Sequence, residues 1–384
     1  LLPHTGASVP SADLPRLARL LALLESPPSA ALRVLLVDNW ERVCEDLDRA
    51  RAGALRERLT ALLRLGPAER LAVALTGGRA ALSGSLAQLV PRRVLLLPAD
   101  PVDLAIAGLS PADVPVGAPP GRAVDLADGA EVQLAAPVRE PTTARIAAYL
   151  AELARRHPGP SMGVQQWPPT VPELPVTVVR TDLAPGATPI PVGTDGEHAL
   201  GFDPESGQRS LTVLGTRGSG RSTTLRTIAG ALVEGGRPVA WISASGTGPS
   251  VGLPEDVARF GPTDAEGLIA VRRAHPDLAV LVDDAERATD TPIEPVLREI
   301  LRLVDTDRGL IAIASTRHDV ARTPRSLPGQ VAAAGVGILL GRVPPGEEAV
   351  LGLRGTLWCE DLPGRGHLIA NGRATPIQVA VSSP

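Results

Sequence analysis

A short apolar run at Leu211–Leu214 breaks into Gly215-Thr216-Arg217-Gly218-Ser219-Gly220-Arg221-Ser222-Thr223. No other stretch restricts the possible folds of the chain as tightly. It follows the pattern G-x-x-x-x-G-K-[ST], with Arg221 in place of the lysine. Glycine at 215 and 220 permits a tight turn and close backbone approach to a ligand. Successive backbone N–H groups and a following helix N-terminus then point at an anion. Gly215 to Thr223 are thus the candidate nucleotide-binding residues, and the fold must place a strand before them and a helix after them. The plainer alternative is a glycine-rich turn that joins strand to helix and binds nothing.

The basic residue of such a loop reaches the β- and γ-phosphates of ATP. Lysine does this as a compact point charge, whereas Arg221 presents a longer planar fork that crowds the γ-phosphate. All 38 basic residues are arginine and none is lysine. Together with abundant Ala, Gly and Pro, this points to a GC-rich coding sequence and takes weight off the single replacement at Arg221.

Three further residue groups complete the candidate site. Ser222 is placed to ligate Mg²⁺ through its hydroxyl. Leu281-Val282-Asp283-Asp284 reads as a strand ending in an acidic pair. Asp283 is expected to hold Mg²⁺ through water, and Asp284 to polarise the attacking water. The alternative is a carboxylate pair that only caps a loop. Ser315-Thr316-Arg317 ends another strand, with Thr316 as a γ-phosphate sensor. Arg317 acts either there or across a subunit boundary, unless it is a solvated surface arginine. The cofactors implied are ATP and Mg²⁺, with Asp284, Thr316 and Arg317 as the catalytic candidates.

Strands alternate with helical patterns along the whole length, which argues for an α/β fold with mainly parallel sheets. In the first half, helical spacing covers 11–26, 49–65 and 139–157, and apolar runs at 33–38, 71–75 and 94–97 read as parallel strands. In the second half, strands are expected at 211–214, 239–243, 278–282, 310–314 and 336–340, with helices at 222–234 and 293–304. Apolar residues make up 44% of the chain and aromatics only 2%, so the cores must be Leu, Val, Ile and Ala. Cys44 and Cys359 lie far apart without metal spacing, which fits a reducing compartment. The net charge of −4 gives no bulk signal for nucleic acid. No apolar run is long enough to span a membrane.

The two halves answer each other in order. Val34-Leu35-Leu36-Val37-Asp38 matches Ala279-Val280-Leu281-Val282-Asp283, and Leu71–Thr76 matches Ile311–Thr316. Leu95–Leu109 matches Leu339–Leu353, Pro120-Gly121-Arg122 matches Pro363-Gly364-Arg365, and Val132-Gln133-Leu134 matches Ile377-Gln378-Val379. This reads as tandem modules. The first has no glycine-rich loop before Asp38, so it reads as degenerate and truncated, its front part lying upstream of Leu1. Its acidic pair is Asp38-Asn39, and asparagine cannot accept a proton. The expected boundaries are 1–137 for the degenerate module, 138–175 for a helix and proline-rich linker, and 176–384 for the loop-bearing module. Trp167 in the linker is expected to pack on either module, and Trp241 to lie in the core.

These residues resemble the FtsK/SpoIIIE superfamily of ring-forming motor ATPases. The resemblance is carried by Leu211–Thr223, Asp283-Asp284, Ser315-Thr316-Arg317, Gly352, Pro363-Gly364-Arg365-Gly366 and Ile377-Gln378-Val379. It covers about 170–384 well, and about 30–135 as a degenerate second copy. Besides Arg221, two positions depart from the family pattern: Asp284 stands where glutamate is usual, and Thr316 where glutamine is usual. The resemblance implies tandem RecA-like P-loop modules, Mg²⁺-ATP at the interfaces of a homo-oligomeric, hexameric ring, and mechanical work on a polymer. The superfamily at large implies a DNA translocase. Tandem motors in one chain look more like EccC, the type VII secretion ATPase, with a secreted protein as cargo. A nucleotide-binding regulatory or scaffold ring subunit that has lost hydrolysis is the third reading. The implied location is the cytoplasm, at the inner face of the cell membrane if an anchor lies upstream.

Overall fold

The computed structural model describes residues 5–25, 32–65, 70–97, 99–115, 117–157, 170–183, 188–245 and 252–382. The chain divides into two compact units, Leu1–Val171 and Pro172–Pro384.

The second unit contains β6 (Ile190–Thr194), β7 (Ala199–Phe202), β8 (Ser210–Leu214), α7 (Arg221–Glu234), β9 (Val239–Ser243) and β10 (Ala258–Phe260). These are followed by α8 (Ala265–Ala274), β11 (Ala279–Asp283), α9 (Glu294–Leu303), β12 (Leu310–Ser315), α10 (Arg317–Arg322) and α11 (Leu327–Ala332). Strands β13 (Gly337–Leu340), β14 (Arg365–Ala370) and β15 (Arg373–Val379) complete it. One ten-stranded sheet runs β10-β9-β11-β12-β8-β13-β14-β15-β6-β7. From β10 to β13 every pairing is parallel; from β13 onward every pairing is antiparallel.

The central parallel strands are mostly apolar, as expected where helices cover both faces. On one face α7 lays Leu225, Ile228, Ala229 and Leu232 against Leu211, Val213, Leu281, Ala312 and Ile338. On the other, Leu268 of α8, Leu297 and Ile300 of α9, and Leu327 and Val331 of α11 pack on Ile242, Val280, Val282, Ile311 and Ile313. Full burial of each such side chain contributes about 1.5–3 kcal/mol. The sequence pattern finds β8, β9, β11, β12 and β13. It misses β10, β14 and β15, and also β6 and β7, where Pro191, Gly193 and Gly201 interrupt any alternation.

The order within the sheet fixes the site. Strand β12 lies between β8 and β11, with Ser315 opposite Leu214 and Val282 opposite Ile313. The carboxyl ends of β8, β12 and β11 therefore share one edge, where open α/β sheets bind their ligands.

The first unit contains α1 (Leu14–Leu24), β1 (Arg33–Val37), α2 (Trp40–Arg49), α3 (Gly53–Leu65), β2 (Leu71–Leu75) and α4 (Gly84–Leu89). Then come β3 (Val94–Leu96), α5 (Pro101–Ala107), β4 (Arg122–Asp125), β5 (Glu131–Gln133) and α6 (Thr143–Arg156). Its strands form a parallel pair, β1-β2, and a separate antiparallel sheet, β3-β4-β5. The expectation of a third parallel strand at 94–97 is corrected here, since β3 pairs only with the antiparallel β4. The second unit supplies the reason. Removing β8 from its order β11-β12-β8-β13-β14-β15 leaves a parallel pair and an antiparallel triplet, which is the arrangement of the first unit.

The repeat holds down to single hydrogen bonds. Gln133 Nε2 donates to the Pro120 carbonyl at 3.1 Å, and Gln378 Nε2 to the Pro363 carbonyl at 3.1 Å. Leu134 N donates to Gly121 O and Val379 N to Gly364 O, both at 2.8 Å. The exposed apolar residues of the first unit follow the same correspondence. Val34, Leu36, Val94 and Leu96 are 42–75% exposed. By the sequence match, Leu36 answers Leu281 and Leu96 answers Leu340, which belong to the core beneath α7. The uncovered face of the first unit is thus the one that α7 covers in the second.

Helix α6 buries no residue among those described, and its Tyr149 and Leu150 are exposed. Trp167 lies outside the described residues. No helix of the described residues is long and apolar enough to cross a membrane.

Candidate functional site

Strand β8 ends at Leu214 and α7 begins at Arg221, so the loop has the strand–loop–helix setting its sequence demands. Gly218 and Gly220 adopt positive φ, +81° and +104°. The turn closes through Ser219 Oγ, which donates to the Thr216 carbonyl at 2.8 Å. It is held from outside by Gly364 N, which donates to Ser219 O at 2.9 Å. The Pro363-Gly364-Arg365 segment, singled out by the repeat, therefore buttresses the loop. Thr224 returns its hydroxyl to Gly220 O at 2.9 Å and locks the first turn of α7.

The Mg²⁺ candidates meet. Ser222 Oγ donates to Asp283 Oδ1 at 3.0 Å, and Asp284 N donates to the same oxygen at 3.2 Å. Asp283 is 8% exposed, and burial raises its pKa above the ordinary carboxylate range, with the Ser222 hydrogen bond opposing. Among the described residues no cluster of three or more His, Cys, Asp or Glu forms a metal cage. One hydroxyl and one carboxylate suit a cation that takes its remaining ligands from water and phosphate oxygens, as Mg²⁺ does. The loop, the helix start and this pair therefore fit Mg²⁺-nucleotide.

The raised pKa has a sign. The folded chain holds a proton on Asp283 more tightly than the unfolded chain does. Stability is thus lost as pH rises from the unfolded pKa through the raised folded one. Asp283→Asn keeps the acceptor for Ser222 and removes the charge. It is expected to melt above the wild type at neutral pH and to lose the further stabilisation given by Mg²⁺-nucleotide. The gap in melting temperature should close as pH falls toward about 3.9, where unperturbed aspartate titrates. A lower melting temperature at neutral pH would contradict this account.

The remaining candidates sit differently from their expected roles. Asp284 adopts a left-handed backbone, φ +52°, and its Oδ1 lies 3.4 Å from Arg221 Nη2. Arg221 Nη1 lies 3.6 Å from Glu286 Oε1, a carboxylate the sequence reading passed over. Its signal was present, as an acidic residue two positions beyond a strand-end acidic pair. Thr316 caps α10: its Oγ1 donates to Asp319 Oδ2 at 2.5 Å and accepts from Asp319 N at 3.1 Å.

Arg317 is the clearest departure. It is neither a solvated surface residue nor extended toward a neighbour, being only 5% exposed. Its Nε pairs with Glu347 at 2.9 Å, and its guanidinium donates to Leu340 O at 2.6 Å and Arg342 O at 2.9 Å. It ties the end of β12 to the chain leaving β13. Trp241 is buried in β9 as expected, with Arg226 over its ring.

In the first unit, Thr76 Oγ1 donates to Asp38 Oδ1 at 2.6 Å and accepts from Asn39 N at 2.8 Å. Asn39 repeats the positive φ of Asp284, at +57°. The backbone of the acidic pair is thus duplicated without its second carboxylate.

No protein-family model matches the sequence, and no curated protein matches it. Solved structures do. The chain is similar over 100% of its length to Thermomonospora curvata EccC, ATPases 2 and 3, in complex with a signal sequence peptide. That match has 21% identity, a TM-score of 0.58 and covers 80% of the EccC chain. EssC, ATPases 2 and 3, from Geobacillus thermodenitrificans matches over 96% of this chain and 74% of its own, with 16% identity and a TM-score of 0.57. The cytoplasmic domain of the Thermomonospora curvata type VII secretion ATPase EccC matches over 95% of this chain, with 21% identity and a TM-score of 0.54. This chain spans 46% of that domain. The fold is therefore the mixed α/β fold of these ATPase modules, as the resemblance to FtsK/SpoIIIE motors implies.

Proposed function

We propose that the second unit binds Mg²⁺-ATP and serves as a motor module that moves a polypeptide, in the manner of a type VII secretion ATPase. The Ser222–Asp283 contact carries this reading, because it joins the phosphate loop to the strand-end carboxylate across the intervening β12. The loop N–H groups and the start of α7 would hold the phosphates, and Ser222 and Asp283 would hold Mg²⁺. The bound ion would neutralise charge that develops on the phosphates. Asp284 would orient water, and Thr316 would report on the γ-phosphate through its cap on α10. The first unit, with Asn39 in its acidic pair, would contribute structure and contacts.

Polypeptide is preferred to DNA as cargo. The tandem ATPases that share this fold include one solved with a signal sequence peptide, and the net charge of −4 offers no general attraction to phosphate backbones. A homo-oligomeric ring, hexameric as in the resembling motors, and work in the cytoplasm beside a membrane belong to the same proposal. One observation favours a second reading, in which nucleotide binds without hydrolysis: Arg221 is engaged by Asp284, the carboxylate that hydrolysis would use.

The test is Mg²⁺-ATP turnover and ATPγS binding by the whole chain, alone, with a signal-type peptide and with duplex DNA. Turnover raised by peptide and not by DNA supports the proposal, and stimulation by DNA alone transfers the cargo to DNA. Binding without turnover under all conditions selects the regulatory reading. Absence of binding overturns both.

A further inference from the structure

The phosphate loop of the second unit meets a carboxylate that neither the motif nor the proposed mechanism uses. Glu286 lies in the short turn Ala285–Ala288, whose Ala285 and Ala288 are fully buried and anchor it. The left-handed Asp284 directs the chain into that turn. As a result, two carboxylates flank one guanidinium: Asp284 Oδ1 at 3.4 Å from Nη2 of Arg221, and Glu286 Oε1 at 3.6 Å from Nη1. The side chain of Arg221 is 13% exposed, that of Glu286 19% and that of Asp284 30%.

We infer that Glu286 is a positioning residue for Arg221: with Asp284 it clamps the guanidinium in the free protein, and a nucleoside triphosphate must draw Arg221 out of this clamp to bind. The inference rests on the phosphate-loop reading above. Three observations support it. An arginine fork reaches two carboxylates at once, whereas the lysine usual at this position is a single compact charge. The clamp is also loosely satisfied. Among the described residues, Arg221 Nη1 and Glu286 Oε2 are both buried without a hydrogen-bond partner. Phosphate oxygens would give the guanidinium the bidentate partners that these long contacts do not. Finally, Arg221 is the first residue of α7, next to Ser222, so any movement of its side chain is felt where Asp283 meets the loop.

A cycle on the full chain tests the clamp, with ATPγS and Mg²⁺ as probe and the variants Glu286→Gln, Arg221→Met and the double substitution. Glu286→Gln is expected to bind ATPγS about tenfold tighter than the wild type, as a coupled pair of this kind allows. In the Arg221→Met background the same substitution should change affinity by less than about twofold. Glu286→Ala carries the same expectation and keeps the cycle readable if the glutamine variant does not fold. Unchanged or weaker binding by the Glu286 variants overturns the inference. Equal tightening in both backgrounds also overturns it, because that would be simple loss of negative charge beside a polyanion. A wild type that binds no ATPγS at all defeats the phosphate-loop reading, and the clamp with it. An additive cycle defeats the clamp alone.

Discussion

Gly220→Val is expected to weaken ATPγS binding by about 10²-fold, the equivalent of about 2.8 kcal/mol, while leaving a folded chain. Gly220 holds φ +104°, where side-chain-bearing residues are strained by about 1–3 kcal/mol. A Cβ there would lie 3.1 Å from Gly364 N, the group that supports the loop through Ser219 O. Strain and crowding thus act on the same turn, and they are relieved most easily by unwinding the start of α7. Gly207→Val provides the control. Gly207 also has positive φ, +88°, but an added Cβ meets nothing within 4 Å. It precedes β8, at the end of the strand opposite the loop. The control should lose stability and keep its affinity. Equal affinity loss in both variants would mean that Gly220 acts through global stability and not through the loop.

Arg317→Ala is expected to destabilise the second unit by about 2–4 kcal/mol, chiefly because two main-chain carbonyls lose their donor, at about 1–3 kcal/mol for a buried group left unsatisfied. The substitution strands the carboxylate of Glu347 and the carbonyls of Leu340 and Arg342. Urea unfolding should show a lower midpoint with an unchanged slope, with or without nucleotide. Glu347→Gln, at a side chain 29% exposed, should cost much less. A normal midpoint combined with lost turnover would return Arg317 to the role of a residue acting on nucleotide.

The parts legible in the sequence were those written in local pattern. The glycine spacing from Gly215 to Gly220 reports backbone conformation directly, and the apolar runs of β8, β11 and β12 report burial on both faces. Their order in the sheet, with β12 in between, brings Ser222 to Asp283, and the sequence motifs anticipated that meeting. What stayed hidden depends on partners remote in sequence. Arg317 resembles any arginine that follows a strand until the carbonyls of Leu340 and Arg342 are placed beside it. Thr316 followed by Asp319 carries the spacing of a helix cap, a signal outweighed by its position at a strand end. Glu286 carries a faint local signal two positions beyond the acidic pair, but its partner is set by the left-handed turn at Asp284, which folds it back toward Arg221. The direction of β3 was misjudged because an apolar run does not encode its neighbour. Among the described residues, β3 pairs only with the antiparallel β4.

The uncovered sheet face of the first unit has a colloidal consequence. Val34 and Leu36 on β1, and Val94 and Leu96 on β3, present aliphatic surface on strands that each have a pairing edge left open among the described residues. Open edges and exposed apolar faces are the two features that most readily recruit other chains into self-association. A net charge of only −4 spread over 384 residues supplies little mutual repulsion, and it vanishes near pH 5.9. The limit on handling this chain in solution is therefore set by its first unit: its shelf life depends on how well that aliphatic face is shielded, however firmly the nucleotide-binding unit is folded.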